Sequence, residues 1–449
     1  MKNIYGIVLL TMLLFGCDKE WLEIKQDKQL VVPETLTDLQ ALLDDSANIN
    51  FGRFPYLGVV GADNFYLLDE DWEGMDPEQH NAYIWAEDIY EGNTSYNYNT
   101  LHLAILYTNI VLERIEDINP SVEEQEMWDN VKGSALFYRS WMFYQLVQIY
   151  AKQYDPTTAD SDLGIALRLE SDVNIKSKRA SVQETYDQII KDTEAAIGLL
   201  PSTPLVQTRP SKLAANGLLA KTYLQMGDYA EALRYATAYL AIDNTLMDYD
   251  SLDATDNYPF ELFNVETAFC STIYPFSTIL NTHHIDSTLY NSYDGNDLRK
   301  TLYYFDDNGR MAFKGTYAGS SRQFSGMAND EFYLIAAECE ARLGNQSGSM
   351  QYLNALLSTR WAEGTYQPYV ANDANDALGI VLRERRKSLV FRGIRWHDLK
   401  RLNMEADFAI TLERHINGEI YTLPPNDLRY VLPFPDEVIE LSDIEQNPR

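Results

Sequence analysis

The sequence predicts a mostly α-helical fold in which antiparallel helix pairs carry a loop-rich insertion with short β-hairpins. Three observations predict it. The segment ALFYRSWMFYQLVQIYA, within 123–153, is apolar almost all round, so a helix there must be enclosed by neighbours. Residues 181–201 and 210–243 carry helix start and stop signals around amphipathic runs. Residues 245–328 lose the helical period and fill with Gly, Asn, Asp, Tyr and Ser.

In chain order, residues 1–17 (MKNIYGIVLLTMLLFGC) place Lys2 before an apolar run from Ile4 to Phe15, too short to span a bilayer as a helix. This is the pattern of a secretory signal peptide over 1–16. Leu14-Phe15-Gly16-Cys17 resembles a lipobox with Cys17 as the acylated thiol, although Phe15 is bulkier than the usual small residue. A processed lipid anchor gives stable membrane attachment. Residues 18–34 read as extended, and Thr35 caps a helix over 35–45 with Leu36, Leu39, Leu42 and Leu43 on one side. A long helix follows near 94–118, stopped by Asn119-Pro120, and then the enclosed helix of 123–153.

Ser181 and Glu184 form a capping box for the next helix, which stops at Pro201. In 210–243, Gly227 ends one helix and Asp228 opens the turn into another, while small Ala220 and Ala232 let the two approach closely. Leu219, Ala220, Tyr223, Gly227, Asp228, Tyr229 and Ala232 fall where the tetratricopeptide repeat places its signature residues. A weaker match recurs at 331–345 through Tyr333, Ala337 and Gly344, too far along for a tandem period, so the repeat array is interrupted by the insertion. Within that insertion TLYYF-DDNG-RMAFKGTY (301–317) reads as a β-hairpin, and a similar loop-rich, aromatic stretch runs from Phe51 to Tyr98. Long loops on a rigid helical scaffold are where binding tends to reside.

The formal net charge is −31, a field that argues against nucleic-acid partners. Tyr outnumbers Phe and Trp, which suits surfaces that are both apolar and hydrogen-bonding. Apart from Cys17, Cys270 and Cys339 remain, too few for a disulfide framework, and Cys339 reads as a buried inert thiol. No G-x-S-x-G, H-E-x-x-H, P-loop or G-x-G-x-x-G motif is present, so no catalytic residue, cofactor or enzyme activity is expected.

At this point several segments together resemble the SusD/RagB family: the opening GCDKEWLEIKQDKQLVVPETLTDLQALLDD, the central ALFYRSWMFYQLVQIYA and the repeat segments of 181–201 and 212–233. To these are added YDGNDLRK with Asp297 and Arg299, DEFYLIAAECEARLGN, IVLRERRKSLVFRGIRWHDLKRL and the closing YVLPFPDEVIELSDIEQNP. The resemblance implies a single SusD-like domain over 17–449, with a tetratricopeptide-like scaffold at about 100–244 and 329–403 and ligand-side loops at about 46–99 and 245–328. It also implies a cell-surface, outer-membrane lipoprotein that captures an oligosaccharide, or in some members a peptide, and acts as the lid of a SusC-like TonB-dependent transporter. A tetratricopeptide scaffold with protein partners only, and a surface hydrolase, are the other classes considered.

Sugar rings stack on Trp and Tyr while Asn, Asp and Arg take the hydroxyls. The candidate ligand contacts are Trp72, Trp85, Tyr96, Tyr98, Tyr290 and Tyr293, with Trp72, in the polar LDEDWEGMD, expected to be exposed. Trp141 and Trp396 are expected in the core. The basic run Arg383, Arg385, Arg386, Arg392, Arg395 and Arg401, with Glu384 and Asp398, reads as an internal ion-pair network, and His397 as structural. His283-His284 is expected on a solvated loop. Asp294, Asn296 and Asp297 alternate as in a calcium loop but lack a placed Glu, so no metal is expected.

Overall fold

The structure is a computed structural model that describes residues 33–276 and 283–449. The signal-peptide segment and Cys17 lie outside the described residues. The first described helix, α1 (Leu36–Leu43), begins where the sequence places it: the Thr35 hydroxyl accepts from the Asp38 N–H, and Asp38 accepts the Thr35 N–H in return. Next come α2 (Tyr96–Ile115) and α3 (Gln125–Tyr150). Every residue of α3 from Gly133 to Tyr150 is buried, as its all-round apolar sequence requires. Its one buried cation, Arg139, is matched by Asp192 through a two-pronged contact at 2.8 and 2.9 Å.

The scaffold continues through α4 (Val182–Leu199), α5 (Lys212–Met226), α6 (Tyr229–Ile242), α7 (Asn329–Arg342), α8 (Gln346–Leu357), α9 (Ala374–Ser388) and α10 (Arg395–Leu402). Packing runs from helix to helix from α2 to α8, and α6 lies directly on α7 although residues 243–328 separate them in sequence. The insertion is therefore looped out of a continuous helical array. Among the described residues the strands form two-stranded antiparallel pairs, beside a few isolated bridges, so the fold is mostly α.

Capping chemistry holds the repeat turn. Ser181 and Glu184 complete their capping box on α4, and Asp228 accepts from the Glu231 N–H at the start of α6. Gly227 sits at φ +75°, where a side chain is strained even though the space around it is open. Gly227→Val is expected to lower stability by about 1–2 kcal/mol or more, because a β-branched residue fits the left-handed region worst. Thermal melting checks this, and an unchanged Tm would mean that the turn does not depend on that backbone conformation.

The hairpin within the insertion forms over Tyr304–Asp307 and Arg310–Phe313. Its two-residue turn has Asn308 at φ +55° and Gly309 at φ +86°, both left-handed, as a twist-matched hairpin turn demands. The stretch from Phe51 to Tyr98 differs from expectation. It contains short helices at Leu57–Gly61, Asp69–Glu73 and Pro77–Tyr83 rather than loop alone. Gly58 and Gly61 are the reason the first of these sits so deep: a methyl group on Gly61 would come within 2.8 Å of the Trp396 ring. Trp141 and Trp396 are both core residues, each 1% exposed.

Candidate functional site

The basic run of α9 and α10 anchors the two loop-rich regions to the helical array. Arg395 clasps Asp63 at 2.7 and 2.8 Å, and Arg386 reaches the Asp63 carbonyl at 2.7 Å. Burial alone would raise the Asp63 carboxyl; Arg395 and Arg386 outweigh it and hold the group below the usual carboxylate range. Arg299, fully buried, bonds Asp297 at 2.6 and 2.9 Å and Glu384 at 2.6 Å, and Lys387 completes the cluster by bonding Glu384 at 2.6 Å. Arg392 takes Asp330 at 2.7 Å, and Asp398 receives Arg385 and Arg401 at 2.9 Å each. The ion-pair expectation therefore holds for Arg385, Arg386, Arg392, Arg395 and Arg401, whereas Arg383 is exposed and stands outside this cluster. Asp63 belongs to the first loop-rich region and Asp297–Arg299 to the second. The network fastens both to α9, and the first to α10 as well.

His397 is buried, and desolvation together with nearby Lys221 and Lys400 pushes its pKa down to about 3. A neutral histidine in the fold and an ordinary one in the unfolded chain give a definite sign. The unfolded state takes up the proton first, so this contribution to stability is present above about pH 6.5 and is lost as the pH falls towards 3. At pH 5 the loss from His397 is about 2 kcal/mol. Urea titrations at pH 7 and pH 5 check this, with His397→Gln expected to flatten the difference.

The candidate ligand rings are placed as follows. Trp72 was expected exposed, but it is buried: it lies on the inner side of its short helix, stacks on His80 at 3.7 Å and donates its indole N–H to the His80 carbonyl. Trp85 is buried at φ +57° and donates to the Gly61 carbonyl. Tyr98 packs edge-on against Tyr150 and Phe434, and Tyr293 bonds the Tyr304 hydroxyl and the Lys387 carbonyl; both are buried. Tyr96 and Tyr290 are half-buried, the first near Tyr274 and Arg53, the second beneath Lys300. These six rings do not converge on one surface.

His283 and His284 depart from the solvated loop expected of them. His284 pairs in strand register with Tyr66, and His283 Nε2 accepts the Phe313 N–H at 3.0 Å, so both rings are buried between the two loop-rich regions. Asp297 is held by Arg299, and Asp294 accepts the Asn296 N–H. The Cys270 thiol is buried and pushed up to about 12, and Cys339 is buried and raised further; both are free thiols.

Sequence reasoning passed over the rings that do face solvent. Among the described residues the exposed aromatic side chains are Tyr66, Tyr258, Phe263 and Phe305, and all four belong to the two loop-rich regions. Tyr258 and Phe305 line a cleft of about 450 Å³ between the 254–258 loop and the hairpin, walled by His283 and Phe313 and edged by Thr255, Asn257, Ser321 and Gln323. Tyr66 lies on the strand paired to His284, next to that wall, with its ring 5.4 Å from the His284 imidazole. Larger clefts occur on the helical side, about 710 Å³ beside His102 and about 960 Å³ beside Glu126, but neither is lined by an exposed ring. Aromatic faces beside neutral hydroxyl and amide groups suit a polyhydroxylated ligand with apolar C–H faces.

Comparison with known proteins gives concordant results. Residues 20–224 match a family described as starch-binding and associating with the outer membrane, and residues 327–449 match the SusD family. A SusD-like protein P2 from Formosa agariphila is 22% identical over 347 residues, 63% of this chain and 67% of its own length. A SusD superfamily protein of Bacteroides thetaiotaomicron superposes with a TM-score of 0.75 at 21% identity, over 92% of this chain and 100% of that one. A SusD-like carbohydrate-binding protein of Bacteroides vulgatus does so with a TM-score of 0.70 at 18% identity, over 91% and 97%.

Proposed function

This chain belongs to the SusD/RagB family, and from that premise we propose that it is a surface lipoprotein that captures an oligosaccharide between Tyr258 and Phe305 and delivers it to a SusC-like TonB-dependent transporter as its lid. One observation carries the ligand assignment: the exposed rings of the described chain are confined to the two loop-rich regions, and two of them flank the same cleft. Of the rings singled out in sequence, Tyr290 and Tyr96 retain partial exposure and are secondary candidates. The role is binding, not catalysis. An oligopeptide is the alternative ligand, favoured by the acidic residues around the cleft, since carboxylates attract amino and guanidinium groups.

Calorimetry with oligosaccharides and with basic oligopeptides separates the two. Oligosaccharide binding is expected; a chain that binds only the peptides would replace this reading with the alternative. Membrane attachment is assigned to acylated Cys17 on the strength of the lipobox-like Leu14-Phe15-Gly16-Cys17; among the described residues no helix is long and apolar enough to cross a membrane. Cys17→Ala is expected to leave the protein out of the outer-membrane fraction and inaccessible to protease added to whole cells. A variant that still fractionates there and is cleaved from outside would show that Cys17 is not the anchor.

A further inference from the structure

The chemistry of the cleft narrows the class of glycan. We infer that it accepts uncharged oligosaccharides and rejects those carrying uronate or sulfate groups. The inference rests on the sugar-binding reading above and adds to it the charge of the ligand.

The lining is polar but balanced. Thr255, Asn257, Ser321 and Gln323 offer hydroxyl and amide groups, and the charged side chains at the wall are Asp307 and Lys314, one of each sign. Lys314 is not a free anion receptor: its ammonium group donates to the Ala254 carbonyl at 2.5 Å and the Asp256 carbonyl at 2.9 Å, holding the 254–258 loop in place. His283 accepts a backbone N–H on Nε2 and so presents a neutral ring. No cation in the wall is both unengaged and unopposed.

The surroundings are strongly acidic. Between residues 248 and 261, the segment that carries Tyr258, stand Asp248, Asp250, Asp253, Asp256 and Glu261 with no basic residue among them, and all five are exposed. The opposing hairpin adds Asp306 and Asp307. Arg310 and Arg322 are the nearby exposed cations and are outnumbered. An anionic chain would approach against this field and then find no spare cation to neutralise it. A neutral chain meets neither obstacle, because its hydroxyls need only the hydrogen-bonding groups already in the wall.

The test uses the full mature chain with two probe sets of matched length: neutral β-glucan, mannan and xylan fragments, and polygalacturonate, alginate and heparin fragments. The expected result is binding within the neutral set alone, with a Kd that changes by less than about twofold between ~0.05 and ~0.5 M salt. Asp250→Asn combined with Asp256→Asn, two exposed acidic residues outside the cleft wall, is expected to leave that Kd within about threefold while weakening the exclusion of polygalacturonate at low salt. An anionic fragment that binds the unmodified chain, and is lost in Tyr258→Ala, would overturn the charge inference while leaving the location of the site intact. A bound fragment of either set that is indifferent to Tyr258→Ala and Phe305→Ala would instead overturn the location. Failure of every neutral fragment to bind would also overturn the inference.

Discussion

Replacing Arg299 with methionine is expected to destabilise the protein by about 3–5 kcal/mol, because it strips the cation from between two buried carboxylates. Asp297 and Glu384 are each almost fully enclosed, and Arg299 reaches both at 2.6 Å. Without it Lys387 remains, among the described residues, as the neighbouring cation, 2.6 Å from Glu384 and 3.8 Å from Asp297, too distant from the second to replace a two-pronged guanidinium contact. The effect should also be directional. Because Arg299 ties the insertion to α9, the variant should loosen residues 283–313 before the helical array melts, which hydrogen exchange would resolve. A loss below about 1 kcal/mol would show that the cluster is not the fastening described. Arg299→Lys is expected to recover only part of the loss, since an ammonium group cannot span both carboxylates.

The second large effect is on binding. Truncating both Tyr258 and Phe305 to alanine removes the two rings that flank the cleft and is expected to abolish measurable oligosaccharide binding. Each stacked ring is worth roughly 1–3 kcal/mol, or about 5- to 150-fold in affinity, so the pair exceeds the range of a site of ordinary affinity. Both rings are exposed, 45% and 44%, so little core packing is lost and the melting temperature should hardly move. Trp72→Ala makes the contrast. It should lower stability, because its ring is stacked on His80 and its indole N–H is engaged, and leave affinity unchanged in the protein that remains folded. Equal affinities in the wild-type chain and the double variant would remove this cleft from the reading.

How much of this could be read from sequence follows from the range over which each signal acts. The Thr35 cap, the Ser181–Glu184 box, the Gly227–Asp228 turn and the Asp-Asn-Gly hairpin all depend on residues within four positions of one another, and each forms as read. The enclosed α3 helix and the ion-pair role of Arg385, Arg395 and Arg401 were also legible, because an all-apolar circumference and a basic run in an acidic protein leave few other outcomes. Which ring faces water was not, since that depends on distant partners. Trp72 stands in an acidic stretch that reads as solvated, yet His80 folds back beneath it. His284 is drawn inside by pairing with Tyr66, over two hundred residues earlier in the chain. Phe305 could have been found: the register that turns Tyr304 inward turns its neighbour outward, and hairpin alternation alone says so. Tyr258 carried a fainter sign, its place among Asp256, Asn257 and Pro259 in a turn-prone stretch.

The most direct test is a crystal structure of the mature chain with a bound neutral oligosaccharide identified by calorimetry. Sugar rings are expected against Tyr258 and Phe305, with hydroxyls on the Thr255, Asn257 and Gln323 side of the cleft. A glycan seated instead in a cleft of the helical side, or making no contact with either ring, would contradict that placement.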